Sequence, residues 1–167
     1  LRDYCLGFGI PLLSGKDSMY ADGNLERDFG ERHKVSGLET LQFTGTSVIE
    51  DVQRCLTMEA KVPGDFLYVL GVTRNELAGS EYYDLYGYTG LNVPQVKLEE
   101  VLPLYQALEQ STRGEILASV HGIYRGGLGV HLALVAMAGG LGLEVELAEV
   151  PAEGVKRDDI LLYSESA

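Results

Sequence analysis

Between Pro11 and Gly23 the chain reads PLLSGKDSMYADG, with a lysine and an aspartate side by side after a glycine, where an apolar run stops. Those residue types suit an anionic ligand. Gly15 opens the backbone so that N–H groups can approach it, Lys16 carries a positive charge to a phosphate, and Asp17 offers a hard oxygen to Mg²⁺. The stretch is not a Walker A loop, which needs Gly, four residues, and then Gly-Lys-Ser/Thr. Here five residues separate Gly9 from Gly15, and Asp17 stands where the hydroxyl belongs. A surface turn with a self-neutralising ion pair accounts for the same residues.

Three further stretches carry chemistry of the same kind. Glu50 and Asp51 close the segment SVIED, and adjacent carboxylates there suit either a cation or solvent, with only one of them facing inward on a strand. In HGIYRGGL, from His121 to Leu128, Gly126 and Gly127 lead into an apolar helix, where free N–H groups and the helix dipole favour a phosphate. Arg125 adds a bidentate donor, and a tight connection packed by glycines is the plainer alternative. His121 is either a ligand contact or a hydrogen-bonded structural residue, and His131 reads as a core histidine. In NELAGSEYY, Gly79 and Ser80 make another turn able to face a phosphate, with Glu76 and Glu81 nearby.

The elements that must position these residues follow from periodicity and punctuation. Leu1 to Gly9 reads as the end of a helix capped by Gly7 or Gly9, and Pro11 to Ser14 as a short buried strand. Gly23 to Ser36 is polar and aperiodic, a surface loop. Leu38 to Glu50 suits one or two strands, and FLYVLGV (66–72) an interior strand. The Tyr-rich stretch 82–90 reads as a packed turn. Helical spacing runs from Leu98 to Thr112, with Gly114 as its stop and Pro103 leaving its start uncertain. A strand over 116–120, a glycine-led helix apolar nearly all round, and an alternating strand LEVEL (143–147) complete the series. Alternating helices and strands indicate an α/β or α+β sandwich.

Bulk composition narrows the classes. With 167 residues and 46% apolar content the chain suffices for one good-sized domain, or for a small one and part of another. A net charge of −12 disfavours nucleic acid and anionic membranes as partners. No run approaches the roughly 18 apolar residues of a membrane span, and no basic, apolar leader is present, so a cytoplasmic location is expected. Cys5 and Cys55 are too few and too far apart for a zinc or redox motif. The opening LRDYCLGFG and the ending LLYSESA suggest a piece of something longer.

Taken together and in order, PLLSGKDSMY, VIEDV, ELAGSEYY and ASVHGIYRGGLGVHLALVAMAGGLGLEVEL resemble phosphoribosylformylglycinamidine synthase, of the aminoimidazole ribonucleotide synthetase superfamily. The resemblance implies the end of a second N-terminal-type sheet domain (residues 1–62), then a truncated C-terminal-type α/β sandwich domain (63–167). It implies a parent ligase that uses ATP and glutamine to turn a phosphorylated formylglycinamide substrate into the amidine. Ammonia would come from a glutamine amidotransferase subunit or domain, and the remainder of the synthetase chain would be a partner. By the same resemblance Gly15 and Lys16 match a phosphate-contacting loop, and Asp17 and Glu50 match Mg²⁺-contacting carboxylates. Gly79, Ser80, His121, Gly126 and Gly127 match turns facing an ATP or ADP cleft. The chain departs from the pattern at Gly122 and Leu134, where acidic residues are usual, which points to a degenerate nucleotide site. No catalytic residue falls within this stretch, so the isolated chain is expected to be inactive. Another superfamily member, of selenophosphate synthetase or thiamine-phosphate kinase type, and a noncatalytic structural domain are the alternatives.

Overall fold

The structure, a computed structural model, describes residues 1–16, 22–26, 30–37 and 41–166. The chain divides into two compact units, Leu1–Glu50 and Asp51–Ala167. In the first, helix α1 (Arg2–Phe8) ends where Gly9 turns left-handed and returns its N–H to the carbonyls of Cys5 and Leu6, as the glycine pattern predicts. Strands β1 (Asp22–Glu26) and β2 (Arg32–Ser36) pair antiparallel, in the register Asp22 with Ser36 and Glu26 with Arg32. This corrects the reading of 23–36 as a loop. Both strands are exposed on both faces, so no apolar alternation announces them, and backbone pairing with Lys34–Asp22 (2.6 Å) holds the ribbon. Residues 11–14, expected as a buried strand, are irregular and exposed, with Leu13 at 91%. Residues 41–49, within the expected strands of 38–50, are irregular as well, and 38–40 lie outside the described residues.

The second unit contains helices α2 (Glu81–Leu85), α3 (Leu98–Arg113), α4 (Gly127–Gly139) and α5 (Asp158–Tyr163). Helix α3 occupies the span its periodicity predicts. Glu99 and Glu100 lie in its first turn, Arg113 in its last, and Gly114 caps it. Pro103 sits inside the helix rather than at its start. Helix α4 opens and closes on glycines, as its sequence predicts. Its expected burial holds only near its start, at Gly127, Leu128 and His131, while Met137 is 76% exposed.

The strands expected at 66–72, 116–120 and 143–147 do not form. A strand is stabilised by a neighbour that accepts its N–H groups, and the described residues supply these segments with almost none. What survives is a single parallel bridge. Thr73 N–H donates to Pro151 O (2.9 Å) and Glu153 N–H to Thr73 O (2.9 Å), a bridge that lies just past 66–72 on one side and beyond the turn Leu147–Glu149 on the other. The core is correspondingly small: Leu77, Ala78, Leu128 and Leu161, with buried Thr73, Glu76, Ser80, His131, Ser164 and Ser166.

Beside α4 lies the loop Thr57–Lys61. Ala60 N–H donates to Val135 O (3.3 Å), and a Cβ on Gly139 would come within 2.0 Å of Ala60 O, so helix and loop are in backbone contact. The loop is shaped by Glu59, whose Oε1 accepts from Lys61 Nζ (2.5 Å) and Thr57 Oγ1 (2.8 Å). Those bonds, Lys61 first, lower the Glu59 carboxyl from 4.5 to about 2. A depressed carboxyl contributes its stabilisation above its unfolded value and loses it as pH falls toward the folded one. We therefore expect the protection of the Ala60 amide, its exchange rate relative to the intrinsic rate at the same pH, to fall between pH 4.5 and about 2, and Glu59→Gln to flatten that dependence. Hydrogen-exchange NMR across the window checks this.

Candidate functional site

The two glycine turns of the second unit meet. Ser80 caps α2: its hydroxyl accepts from Tyr83 N–H (3.2 Å) and donates to Leu77 O (2.6 Å), and it is 2% exposed. Gly79 N–H donates to Thr89 O (2.9 Å), which closes the turn over the segment that follows α2. Across from it, Gly126 caps the start of α4 and Gly127 N–H donates to Tyr124 O (3.1 Å). One atom joins the two sides. Glu165 Oε1 accepts from Gly126 N–H (2.8 Å) and from Glu81 N–H (3.0 Å), so the first turns of α2 and α4 share one carboxylate oxygen. A second tie is the ion pair between Arg125 and Glu81. Helix N-termini attract negative charge, and at this junction the chain's own carboxylate answers them.

Sequence reasoning misses Glu165, although its signal is present. In LLYSES the serines alternate with the glutamate. Ser164 (1% exposed) and Ser166 (7%) point inward, which leaves Glu165 to the other side, toward the helix ends. Both serines bind the backbone of Arg74. Ser166 Oγ accepts from Arg74 N–H (3.0 Å), and Ser164 Oγ donates to Arg74 O (2.7 Å) while accepting from Glu76 N–H (3.2 Å). The carboxylate is thereby projected from a fixed piece of main chain.

His121 stands behind the second turn, with Nε2 2.8 Å from His131 Nδ1, and the Tyr124 ring meets both imidazoles edge-on. Burial, and then the neighbouring His131, pull the His121 imidazole below its usual range, which favours the neutral form. His131 is a core residue as expected, 7% exposed, but its Nε2 has no hydrogen-bond partner among the described residues. At Gly122 a Cβ would fall 2.4 Å from the Tyr124 hydroxyl, so that tyrosine occupies the space a side chain at 122 would need.

The tyrosine-rich stretch, expected as a packed turn, begins as helix α2, and Tyr82 and Tyr83 are half-buried while Tyr86 and Tyr88 are exposed. Tyr82 stacks on Tyr163 (4.8 Å between centroids, 5° between planes) and donates to Asp159 Oδ2 (2.9 Å). Tyr82, Tyr83, Tyr86 and Tyr88 line an open cleft of about 630 Å³, with Arg157 and Asp159 at its edge.

Gly15, Lys16 and Glu50 belong to the first unit and are exposed, and Asp17 lies outside the described residues. Among the described residues no group of three or more His, Cys, Asp or Glu side chains is placed to hold a metal, and the two carboxylates at the joined turns are already engaged, Glu165 by N–H groups and Glu81 by Arg125. That donor set does not fit Mg²⁺. No helix among the described residues is long and apolar enough to cross a membrane.

Compared with proteins of known name, the chain is similar along its length to synthase subunits. It is 38% identical over 160 residues (95% of the chain) to phosphoribosylformylglycinamidine synthase subunit PurL of Methanothrix thermoacetophila. To the subunits of the same name from Methanocaldococcus jannaschii and Thermococcus sibiricus it is 32% identical over 170 residues (100% of the chain) and 31% over 166 (99%). The chain covers 19% of the first of these relatives and 22% of the other two, about a fifth of their length. The kinship read from the four motifs is therefore borne out: the chain corresponds to a segment of a phosphoribosylformylglycinamidine synthase subunit. No family model matches it, and no solved structure does.

Proposed function

We propose that this chain is the phosphate-binding and scaffolding portion of a purine-biosynthetic ligase that makes a carbon–nitrogen bond at the expense of ATP. The observation that carries the proposal is similarity over nearly the whole chain to phosphoribosylformylglycinamidine synthase subunits. Within the parent enzyme the fold is an α/β sandwich preceded by the end of a sheet domain, and segments such as 66–72 find their strand partners in the rest of the synthetase chain. ATP supplies the phosphoryl group that activates the amide oxygen of a phosphorylated substrate. Ammonia from a glutamine amidotransferase partner then displaces phosphate in the cytoplasm. Lys16 contacts phosphate, and the turns at Gly79–Ser80 and Gly126–Gly127 lie against the nucleotide, with His121 behind them.

A scaffold role for this segment is favoured by one specific observation. The Ser80 hydroxyl and the N–H groups of Gly79, Gly126 and Gly127 are all engaged within the chain. No acid or base for the chemical step is assigned here.

The test uses the full-length protein carrying this segment. Glutamine- and ATP-dependent amidine formation should be present, and Lys16→Ala together with Asp17→Asn should weaken ADP binding in the presence of Mg²⁺ by about tenfold, read by calorimetry. Amidine formation with ADP affinity unmoved by both changes would leave the scaffold role standing and remove the phosphate role. No amidine formation at all would sink the ligase assignment.

A further inference from the structure

Away from the joined turns, a second cavity of about 330 Å³ is lined by Arg74, Asn75, Glu76, Leu91, Asn92 and Gln95, among others. Its unanswered charge, among the described residues, is Glu76. That side chain is 8% exposed, and its Oε2 has no hydrogen-bond partner among the described residues. The backbone cannot release it, because Glu76 N–H is held by Arg74 O (2.9 Å) and Ser164 Oγ (3.2 Å), and the buried Leu77 and Ala78 follow directly. A buried carboxylate oxygen without a partner is costly, so an arrangement of this kind is completed by a donor.

The neighbouring cation is committed elsewhere. Arg74 gives Nη1 and Nη2 to Glu100 (3.1 and 3.0 Å) and Nε to Glu153 (3.0 Å), and Lys97 Nζ also goes to Glu100 (3.0 Å). Arg74 is thus answered by Glu100 and Glu153, and of the two charged residues that line the cavity Glu76 is the one left without an opposite charge among the described residues. The remaining polar lining is carboxamide. Gln95 spends its Nε2 on Val93 O (3.2 Å), and Asn92 is exposed on the rim. Size decides between a metal ion and something larger. The space is about ten times the roughly 30 Å³ share of one water molecule, and Leu91 and Val93 give it an apolar side.

We propose that this cavity binds a small organic cation, a primary ammonium or guanidinium head on an aliphatic stem, with Glu76 as its counter-ion. The carboxylate takes the head group, the carboxamide oxygens accept its remaining N–H bonds, and the stem lies along Leu91 and Val93. This assignment stands apart from the ligase reading and survives its failure.

Calorimetry on the full chain tests it, with agmatine as the free amine, Nα-acetyl-arginine amide as a polypeptide-borne head group, and MgCl₂ as the metal alone. At least one organic cation should bind saturably, and Glu76→Gln should weaken it roughly thirtyfold or more, the cost of removing one member of a buried charge pair. Whichever probe binds more tightly identifies the source. Glu76→Gln should also raise the melting temperature of the ligand-free chain, since it removes an unpaired buried charge. If that variant does not fold, Asn92→Leu on the exposed rim should weaken binding by about tenfold. The proposal is overturned if neither organic cation binds, if binding is indifferent to both substitutions, or if Mg²⁺ alone shows the Glu76 dependence.

Discussion

Gly127→Ala should destabilise the second unit by about 3 kcal/mol or more and detach α4 from the segment after α5. Gly127 has φ +73° and is buried. A left-handed backbone alone costs a residue with a Cβ about 1–2 kcal/mol. Steric overlap costs more. The added Cβ would stand 2.7 Å from Leu162 O and 2.8 Å from both Ser164 O and the Tyr163 carbonyl carbon. These are backbone atoms, held by α5 and by the serine pair at Arg74, and they cannot rotate aside as a side-chain tip does. Relief requires moving the start of α4 away, which pulls Gly126 N–H off Glu165. Gly140 supplies the control. It has φ +64°, and a Cβ there would meet nothing within 4 Å. Gly140→Ala should therefore cost only the backbone strain, about 1 kcal/mol. Urea denaturation of both variants separates strain from overlap, and equal losses would show that the contact of Gly127 with residues 162–164 is not tight.

The contrast between those glycines marks what the sequence could disclose. A helix is closed within itself, so α3 and α4 are readable from spacing and end signals alone: the apolar periodicity from Leu98, the stop at Gly114, the glycines at either end of α4. A strand depends on residues far away, and the apolar runs at 66–72 and 143–147 name a propensity without naming a partner. The bridge that does form, between Thr73 and Ala152, lies outside both runs and is legible only in coordinates. The ribbon of β1 and β2 escapes notice for the opposite reason, since a strand exposed on both faces carries no alternation to read.

The candidate site divides along the same line. That Gly79–Ser80 and Gly126–Gly127 form turns, and that a helix follows the second, is local information that the sequence carries, whereas helix α2 replaces the turn expected from the tyrosines of 82–90. That the two turns share one carboxylate is not local, because Glu165 lies 39 residues beyond Gly126 and reaches it only through the serines on either side. Residue type also misleads about direction. Ser80 has the chemistry to face a ligand, but its hydroxyl is buried in the cap of α2. Gly15, Lys16 and Glu50 stay tied to the site by resemblance alone.

Ser164→Ala should cost about 2 kcal/mol, a large loss for removing one oxygen. The hydroxyl is fully buried, and the two serines form a ring with one backbone residue. Each hydroxyl has a single proton, and that of Ser166 has two acceptors in reach, Ser164 Oγ (3.0 Å) and Arg74 O (3.2 Å). Arg74 N–H donates to Ser166 Oγ (3.0 Å) and Ser164 Oγ donates to Arg74 O (2.7 Å), so the ring closes when Ser166 gives its proton to Ser164 Oγ (3.0 Å). Ser164 Oγ takes a further bond from Glu76 N–H (3.2 Å). Removing it strips Arg74 O of its shortest partner and interrupts the ring. Ser166→Ala breaks the same ring and leaves Arg74 N–H without an acceptor, so the two losses should not add. In a double-mutant cycle by urea denaturation the second substitution should cost less than it does alone, with a coupling of about 1 kcal/mol. Strictly additive losses would mean that the serines act separately, and that Glu165 is aimed at the helix ends by something other than this ring.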